Sequence, residues 1–546
     1  MKQTQGATPV LAIDDLTLAL PRLSDRRNAV QNLSLTVAAG ETLCVVGESG
    51  SGKSLTAYAV MGLLPRGVRA VSGSIRLTGT ELLGRDEASL CRMRGRDAGI
   101  VFQEPMTSLN PIMRVGDQIA ETFKAHHAFD AAEQMRRCIA LLDEVHLPDP
   151  ERLARAYPHE LSGGQRQRVM IAIALALEPK LLIADEPTTA LDVTTQAQVL
   201  RLIGELRAKR GMAVLFITHD FGVVAEIADR VVVLQEGSVV EQGSVAAVLQ
   251  NPRHPYTRRL LAAVPSLEPP PSKDYSRASP SLQVEGLSKT FAGRTLFGRG
   301  REVRAVADVG FTIRRGETLG LVGESGSGKS TVGRCVLRLI EPDRGAVHVG
   351  EIAITDLSQA ALRRQRRRIQ MVFQDPYASL NPRRTVGRII AEGPLAQGVD
   401  EKTALSNARR LLDLVGLPVQ AVDRYPHEFS GGQRQRIGIA RALALEPEVL
   451  VADEPVSALD VSVQAQILEL IRELQDRLGV AILFITHDLR VAAQVCDRIA
   501  VMRRGRIVEM QETAGLFASP QHPYTQQLLA AVPGAGRLFS DRGIPR

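Results

Sequence analysis

The chain has 546 residues, of which 44% are hydrophobic and 23% charged, and its formal net charge is +7. Such a composition excludes wholesale disorder and predicts two to four folded domains, but the charge alone does not choose among nucleic acid, a membrane surface and nucleotides as partners. Five cysteines without a C-x-x-C pair argue against a disulfide framework or a zinc site, and no run approaches the ~20 apolar residues of a membrane span.

A long internal repeat organises the chain. Three motifs recur at one common spacing: SGGQRQR begins at Ser162 and Ser430, ADEP at Ala184 and Ala452, and HPYT at His254 and His522. A period of this length predicts two duplicated domains, 1–265 and 282–546, rather than a solenoid. The segment 266–281 between them is rich in Pro, Ser and charged residues, so we predict an exposed, partly extended linker there.

The first element of interest in each half is a short apolar strand, Thr42–Val46 or Thr318–Val322, which is followed by GESGSGKS. These loops fit G-x-x-x-x-G-K-[ST] in the strand–loop–helix context that the pattern requires. The glycines let backbone N–H groups point inward, and the start of a helix attracts phosphate. The predicted phosphate-binding residues are Gly47, Glu48, Ser49, Gly50, Ser51, Gly52, Lys53 and Ser54, and then Gly323, Glu324, Ser325, Gly326, Ser327, Gly328, Lys329 and Ser330.

Further along each half, an apolar strand ends in an Asp-Glu pair, Asp185–Glu186 in LLIADEP and Asp453–Glu454 in VLVADEP. Carboxylates at the end of a central parallel strand lie beside the phosphate loop. We therefore predict that the aspartate holds Mg²⁺ through water and that the glutamate polarises the attacking water. Such strands alternate with helical patterns, which predicts an α/β fold with a largely parallel sheet.

Two more motifs accompany these acids. The serine and glycines of SGGQ open a helix, and a helix start of this kind attracts anions. A histidine follows another apolar strand in T-H-D, at His219 and at His487. A lone histidine at a strand end is more often structural, but its recurrence in the same context favours a contact with the γ-phosphate.

These motifs, in this order and in both halves, resemble those of the ATP-binding cassette (ABC) ATPases. The resemblance also assigns Gln103 and Gln374 as Q-loop glutamines, Asp192 and Asp460 as the ends of the D-loops, and the histidines as switch residues. It implies two tandem P-loop cassettes, each with a RecA-like parallel-sheet core, an antiparallel β part and a helical subdomain. The implied metal-site residues are Ser54, Gln103, Asp185, Ser330, Gln374 and Asp453, and the implied catalytic residues are Glu186, Glu454, His219 and His487.

The resemblance further implies head-to-tail pairing, in which each ATP lies between the loop of one cassette and the signature of the other. The loop 47–54 would be completed by Ser430, Gly431, Gly432 and Gln433, and the loop 323–330 by Ser162, Gly163, Gly164 and Gln165. Both sites keep their glutamate, histidine and signature, so we predict two hydrolytic sites. Family members usually stack an aromatic residue on adenine. Phe291 is at that position in the second copy and Leu20 in the first, which predicts that the first site binds nucleotide more weakly.

The HPYT segments and the surroundings of the Q-loops resemble the importer ATPases of the oligopeptide, dipeptide and nickel class. A fused pair is most similar to the ATPases of microcin C-type peptide importers, with glutathione-importer ATPases as close relatives. This implies ATP and Mg²⁺ as cofactors, two transmembrane permeases, a periplasmic binding protein and a peptide substrate as direct or indirect partners, and a peripheral place on the cytoplasmic face of the inner membrane. No cysteine follows either HPYT segment closely, so we expect no iron–sulfur cluster.

An alternative is a soluble twin-cassette ATPase that acts on ribosomes or nucleic acid, which the basic charge would suit. Proteins of that kind generally carry a long charged helical linker, whereas this linker is short and Pro-rich, so we expect no nucleic acid partner. The basic run 363–368 is read either as a solvated helix face or as a surface near anionic lipid headgroups.

Overall fold

A computed structural model describes residues 8–22, 26–104, 108–189, 191–271, 273–295, 298–457 and 459–534. The described chain divides into two compact units between Val264 and Pro265, and the second unit runs to Val532. In these ranges, no helix is both long and apolar enough to cross a membrane.

The first unit contains two sheets. Its strands are β1 (Leu11–Ala19), β2 (Asn28–Val37), β3 (Thr42–Val46), β4 (Arg69–Leu77), β5 (Thr80–Glu81), β6 (Ala98–Val101), β7 (Leu181–Asp185), β8 (Ala213–Ile217), β9 (Arg230–Gln235) and β10 (Ser238–Ser244). An antiparallel sheet has the order β2-β1-β4-β5. The larger sheet has the order β6-β7-β8-β3-β9-β10 and is parallel except for β10 at its edge.

The second unit repeats this topology. Its strands are β11 (Pro280–Thr295), β12 (Gly298–Arg314), β13 (Thr318–Val322), β14 (Arg344–Val349), β15 (Ile352–Ala353), β16 (Ile369–Val372), β17 (Val449–Asp453), β18 (Ala481–Thr486), β19 (Arg498–Arg503) and β20 (Arg506–Glu512). The sheets have the orders β12-β11-β14-β15 and β16-β17-β18-β13-β19-β20, position for position those of the first unit.

Helices surround the larger sheet in both units. Those of the first unit are α1 (Lys53–Met61), α2 (Glu87–Met93), α3 (Val115–Ala125), α4 (Ala131–Glu144), α5 (Pro150–Arg155), α6 (Gly163–Leu175), α7 (Val193–Arg210), α8 (Phe221–Ile227), α9 (Val245–Gln250) and α10 (Pro255–Ala262). Those of the second unit are α11 (Lys329–Val336), α12 (Gln359–Gln365), α13 (Pro376–Ser379), α14 (Val386–Ala396), α15 (Glu401–Leu414), α16 (Gly431–Leu443), α17 (Val461–Leu478), α18 (Leu489–Val495), α19 (Thr513–Ala518) and α20 (Pro523–Ala530).

The central strands form because their residues are apolar on both faces. All five residues of β3, β7 and β8 are buried, as expected for a parallel sheet that is covered on both sides. Side chains alternate along β3: Leu43 and Val45 pack with the antiparallel sheet, whereas Cys44 and Val46 pack with the helical part. The carboxyl ends of β6, β7, β8 and β3 are therefore held side by side, and the predicted site residues follow these strands.

The segment predicted as a linker, 266–281, groups with the second unit and contacts it at several points. Gln494 Nε2 donates hydrogen bonds to the carbonyls of Ser266 and Glu268 at 2.9 and 3.0 Å. Tyr275 donates to Asp497 Oδ2 at 3.2 Å, and Arg314 Nη1 donates to the carbonyl of Tyr275 at 2.8 Å. Polar contacts thus hold this segment along the surface of the second unit.

Candidate active sites

The phosphate loop of the first unit holds its lysine on its own backbone. Gly47 has φ 155°, and a Cβ there would lie 2.3 Å from the carbonyl oxygen of Leu234, so only glycine fits. Helix α1 begins at Lys53 without a side-chain cap, which leaves its first N–H groups directed at the loop. Lys53 is buried, and its Nζ donates to the carbonyls of Gly47 and Glu48 at 2.8 and 3.0 Å. An ammonium poised in this way can turn to an incoming phosphate.

The second loop has the same geometry. Gly323 has φ 152°, and a Cβ there would lie 2.2 Å from the carbonyl oxygen of Met502. Lys329 Nζ donates to the carbonyls of Gly323 and Glu324 at 2.7 and 2.8 Å. The two loops therefore offer the same phosphate chemistry.

A serine–aspartate pair lies at the carboxyl end of β7. Ser54 Oγ donates to Asp185 Oδ1 at 3.0 Å, while Asp185 Oδ2 is buried and has no hydrogen-bond partner among the described residues. Burial, together with the neighbouring charge of Glu186, raises the pKa of Asp185 to about 6 against the opposing effects of Ser54 and Lys53. An orphaned carboxylate oxygen beside a serine hydroxyl is the donor set that Mg²⁺ prefers when phosphates supply the remaining ligands. These residues fit the metal.

The equivalent pair in the second unit is Ser330 and Asp453. Ser330 Oγ donates to Asp453 Oδ1 at 2.9 Å. Burial raises the pKa of Asp453 as well. A cation at either site would favour the ionised carboxylate and reverse this shift.

Glu186 is the centre of the first site. His219 Nδ1 lies 3.1 Å from its Oε1, and Gln103 Nε2 donates to its Oε2 at 2.9 Å. The Thr189 hydroxyl also donates to Oε2, at 3.0 Å. Burial raises the pKa of Glu186, but the hydrogen bond and the charge of His219 outweigh it and lower this pKa to about 2. The carboxylate is ionised and oriented, as a group that polarises water must be.

Glu454 has the corresponding place in the second site. His487 Nδ1 lies 3.1 Å from its Oε1, and Gln374 Nε2 donates to its Oε2 at 2.8 Å. Burial opposes charge on both groups, yet each stabilises the charge of the other, so the pKa of Glu454 is lowered and that of His487 raised. The hydroxyl of Ser457 donates to the backbone carbonyl of Glu454 at 3.2 Å, and Ser457 also helps to lower the pKa of the Glu454 carboxyl.

Both glutamates have a backbone conformation that side chains rarely adopt. Glu186 has φ 47° and Glu454 has φ 46°. Residues held in the left-handed region cost about 1–3 kcal/mol and cluster at functional sites. In this conformation each carboxylate points towards the histidine and the glutamine. The sequence has no glycine or asparagine at these positions, so it gives no indication of the left-handed backbone.

The signature helices begin with a reciprocal cap that the sequence analysis did not identify. Ser162 Oγ accepts from the N–H of Gln165 at 3.3 Å, and Gln165 Oε1 accepts from the N–H of Ser162 at 2.9 Å. Ser430 and Gln433 form the same capping box in the second unit, at 3.4 and 3.0 Å. The spacing S-x-x-Q is the known signal for this cap and could have revealed it.

The two glycines of each signature have different surroundings. A Cβ on Gly164 would lie 2.4 Å from Thr195 Cγ2, and one on Gly432 would lie 2.2 Å from Val463 Cγ1. The second glycine therefore lets α6 or α16 approach the following helix closely. The first glycine, Gly431 in the second unit, has only an ordinary contact at 3.5 Å with Leu459.

The two residues predicted at the adenine differ in exposure. Phe291 on β11 is 42% exposed and lies opposite Val303 on β12. Leu20 follows β1, is partly buried and packs against the core beside the antiparallel sheet. Of the stretch that follows Gln103, residues 105–107 lie outside the described residues.

Comparison with known families decides the identity of this architecture. The ABC transporter family matches residues 30–189 and 306–457, and the C-terminal region of oligopeptide/dipeptide transporters matches 240–299 and 508–539. The chain belongs to the ABC transporter ATP-binding family. The predicted resemblance and the α/β cassette fold are thus confirmed. The chain is a transport-coupled ATPase of the importer class. This finding disfavours the alternative of a soluble ATPase that acts on ribosomes or nucleic acid.

Two curated relatives align with nearly the whole chain. The glutathione import ATP-binding protein GsiA of Salmonella paratyphi A is 48% identical over 559 residues, covering 96% of this chain and 90% of that protein. GsiA of Escherichia coli O6:H1 is 49% identical over 562 residues, with 97% and 90% covered. A solved dimeric post-hydrolysis structure of the ATP-binding cassette MJ0796 with ADP and Pi is 28% identical, covers 42% of this chain and 98% of that chain, and has a TM-score of 0.39.

Proposed function

We propose that this ABC ATPase hydrolyses ATP at two sites and thereby drives the uptake of small peptides through separate membrane permeases. The observation that carries the proposal is the pairing of an ionised, buried glutamate with a histidine and a glutamine, Glu186 with His219 and Gln103. It recurs in the second unit with the same distances to within 0.1 Å. Two equally equipped sites support hydrolysis at both.

Each residue has a separate role in the proposed reaction. Lys53 leaves the loop carbonyls and binds the β- and γ-phosphates. Ser54 and Asp185 would hold Mg²⁺, which would neutralise phosphate charge. Glu186 polarises the attacking water, and His219 fixes the carboxylate and reaches the γ-phosphate. Gln103 reports the state of the site through its bond to Glu186. Its amide oxygen would be one of the ligands of Mg²⁺, whereas its amide N–H orients the carboxylate of Glu186.

We further propose that each nucleotide is enclosed by both halves. The helix start at Ser430–Gln433 would complete the site of loop 47–54, and Ser162–Gln165 would complete the site of loop 323–330. Because the serine and glutamine of each signature already cap each other, the phosphate would be met by backbone N–H groups at the first glycine. Phe291 would stack on adenine in the second site, whereas Leu20 would supply only an apolar contact in the first.

Glutathione and short peptides are the proposed cargo class. The GsiA relatives are named for glutathione import, and the C-terminal region matches that of oligopeptide/dipeptide transporters. The expected partners are two transmembrane permeases, with a periplasmic binding protein and the peptide as indirect partners, on the cytoplasmic face of the inner membrane. No cysteine follows either HPYT segment closely, so the proposed cofactors are ATP and Mg²⁺ without an iron–sulfur cluster.

Reconstitution tests this proposal. The chain is assembled with its permeases in proteoliposomes, binding protein is added outside, and uptake of labelled glutathione and of labelled di- and tripeptides is measured with ATP enclosed. We expect ATP-dependent uptake of at least one of these peptides, and none in a Glu186→Gln/Glu454→Gln variant. Uptake that persists in this variant would contradict the role of the glutamates, and co-sedimentation with ribosomes instead of membranes would contradict the transport role.

A further inference from the structure

The HPYT segment at the end of each cassette forms a helix start with a defined role for each of its first residues. His254 is the N-cap of α10, and its Nδ1 accepts from the N–H of Tyr256 at 3.3 Å, while Pro255 opens the helix. In the second unit His522 Nδ1 accepts from the N–H of Tyr524 at 3.1 Å. This cap directs both tyrosines into the domain, where 4% and 3% of their surface stays exposed.

The tyrosine hydroxyl of the first unit contacts the phosphate loop. It accepts from the backbone N–H of Glu48 at 3.2 Å and donates to Glu48 Oε2 at 3.1 Å. The same peptide group contributes the carbonyl of Gly47, which accepts from Lys53 Nζ at 2.8 Å. One peptide plane is therefore fixed from its two sides, by Tyr256 on its N–H and by Lys53 on its carbonyl.

The second unit repeats this arrangement over a sequence separation of 200 residues, against 208 in the first. Tyr524 accepts from the N–H of Glu324 at 3.3 Å, and the carbonyl of Gly323 in the same peptide group accepts from Lys329 Nζ at 2.7 Å. Burial, together with the carboxylate of Glu324, raises the pKa of Tyr524 to about 12. The hydroxyl therefore keeps its proton at neutral pH and can donate to that carboxylate.

The helix start is itself anchored to the edge of the larger sheet. Glu241 on β10 accepts from the N–H groups of Arg253 and His254 at 2.7 and 3.1 Å. Glu509 on β20 accepts from those of Gln521 and His522 at 2.8 and 3.0 Å. Charge-assisted bonds of this kind are among the stronger ones in proteins. The position of each tyrosine is thus determined by the sheet and does not depend on the helix alone.

We propose that Tyr256 and Tyr524 are positioning residues for the phosphate-binding lysines, so that the C-terminal segment of each cassette sets the affinity of the adjoining nucleotide site. The inference rests on the proposed phosphate role of Lys53 and Lys329. A purely structural tyrosine would need only its ring, which fills a core position. A positioning tyrosine needs its hydroxyl, because only the hydroxyl reaches the loop peptide.

The test removes the hydroxyls and keeps the rings. In the full chain, Tyr256→Phe/Tyr524→Phe is compared with the unchanged protein for KM and kcat of ATP hydrolysis and for affinity towards a fluorescent ATP analogue. A lost bond that holds the lysine equally in ground and transition states raises KM and leaves kcat nearly unchanged. We expect KM and the dissociation constant to rise about fivefold, on the scale of one hydrogen bond, with the melting temperature close to that of the unchanged protein.

A control on the same helices separates positioning from packing. Leu260→Val/Leu528→Val shortens buried side chains one turn further along α10 and α20 and should lower the melting temperature without changing KM. An unchanged KM in the tyrosine variant, or an equal rise of KM in the leucine variant, would overturn the inference. Lys53→Ala/Lys329→Ala tests the proposed function separately. If the lysine variant loses nucleotide binding but the tyrosine variant keeps an unchanged KM, only the positioning role of the tyrosines is rejected. If the lysine variant keeps full activity, the phosphate role of the lysines and the positioning role are both rejected.

Discussion

Nδ1 of His219 lies 3.1 Å from Oε1 of Glu186, a carboxylate that also accepts from Gln103 and Thr189. The histidine follows β8, the glutamate follows β7, and these strands are neighbours in the parallel sheet. The pair therefore joins two strand ends directly, and the bond keeps the glutamate ionised in a buried place. A ligand that binds His219 and breaks this hydrogen bond would therefore remove the group that lowers the pKa of Glu186.

The first prediction concerns this carboxylate. Glu186→Gln and Glu454→Gln should each slow steady-state ATP hydrolysis strongly, on the order of 10²–10⁴ for the loss of an acid–base group. The amide keeps the size of the side chain but cannot polarise water. Hydrolysis is measured at saturating ATP with Mg²⁺, and nucleotide affinity is measured alongside as the control, since the phosphate loop is untouched. Either variant with full turnover would show that its site is not hydrolytic.

The second prediction concerns the buried Asp185, whose pKa of about 6 lies above the ordinary value of 3.8. A carboxyl group with a raised pKa stabilises the fold when it is protonated. This contribution is present below about pH 4 and is lost as the pH rises through about 6. Asp185→Asn should therefore raise the melting temperature of the nucleotide-free protein at pH 7.5 and raise it less at pH 4.5, as followed by thermal unfolding.

The same shift predicts weaker metal binding in acid. Mg²⁺ binds the ionised carboxylate. With the first site isolated by Lys329→Ala, the Mg²⁺ concentration that gives half-maximal nucleotide binding should therefore rise about fourfold when the pH is lowered from 7.5 to 5.5. Asp185→Asn in the same background is the control, because its remaining pH dependence belongs to the nucleotide. Equal pH dependence with and without the aspartate would contradict a metal role for this group.

Which residues meet at the sites is predictable from the sequence because parallel strands end at one edge of a sheet. Asp185 ends an apolar strand, and Gln103 and His219 follow two others in the same sheet, so their proximity follows from strand order. The contacts of Tyr256 with Glu48 are not predictable in this way. They join positions 208 residues apart and depend on how α10 packs against the sheet, which no local pattern contains.

The segment 266–281 gives a second example of this limit. Its Pro, Ser and charge content predicts an exposed, partly extended linker, and composition does not determine which surface such a segment follows. Tyr275 bonds to Asp497, the residue that also accepts from the N–H of Thr318 at 2.8 Å. The equivalent aspartate of the first unit, Asp229, is paired with Arg207. Tyr275 thus bonds to an aspartate whose counterpart in the first unit is paired with an arginine. This difference between the two units becomes apparent only in the folded structure.

The fourth prediction separates the two glycines of the second signature. Gly432→Ala should destabilise the second unit by about 1–3 kcal/mol, because the new Cβ would lie 2.2 Å from Val463 Cγ1. Val463→Ala in this background removes the clash and should restore most of the melting temperature. Gly431→Ala should leave the melting temperature nearly unchanged and reduce hydrolysis, since that glycine is the proposed phosphate contact. Equal destabilisation by both alanines would contradict this division.

The last prediction concerns the base of the nucleotide. Phe291 is 42% exposed on β11, so its ring is accessible to adenine, whereas the equivalent Leu20 packs against the core. With the second site isolated by Lys53→Ala, Phe291→Leu should weaken ATP binding about threefold to tenfold, which corresponds to the loss of one aromatic contact. Unchanged affinity after Phe291→Leu would remove the aromatic ring from the site. With Phe291 unchanged, the second site isolated by Lys53→Ala should bind the fluorescent ATP analogue more tightly than the first site isolated by Lys329→Ala. Equal affinities would show that the two sites bind the base equally well.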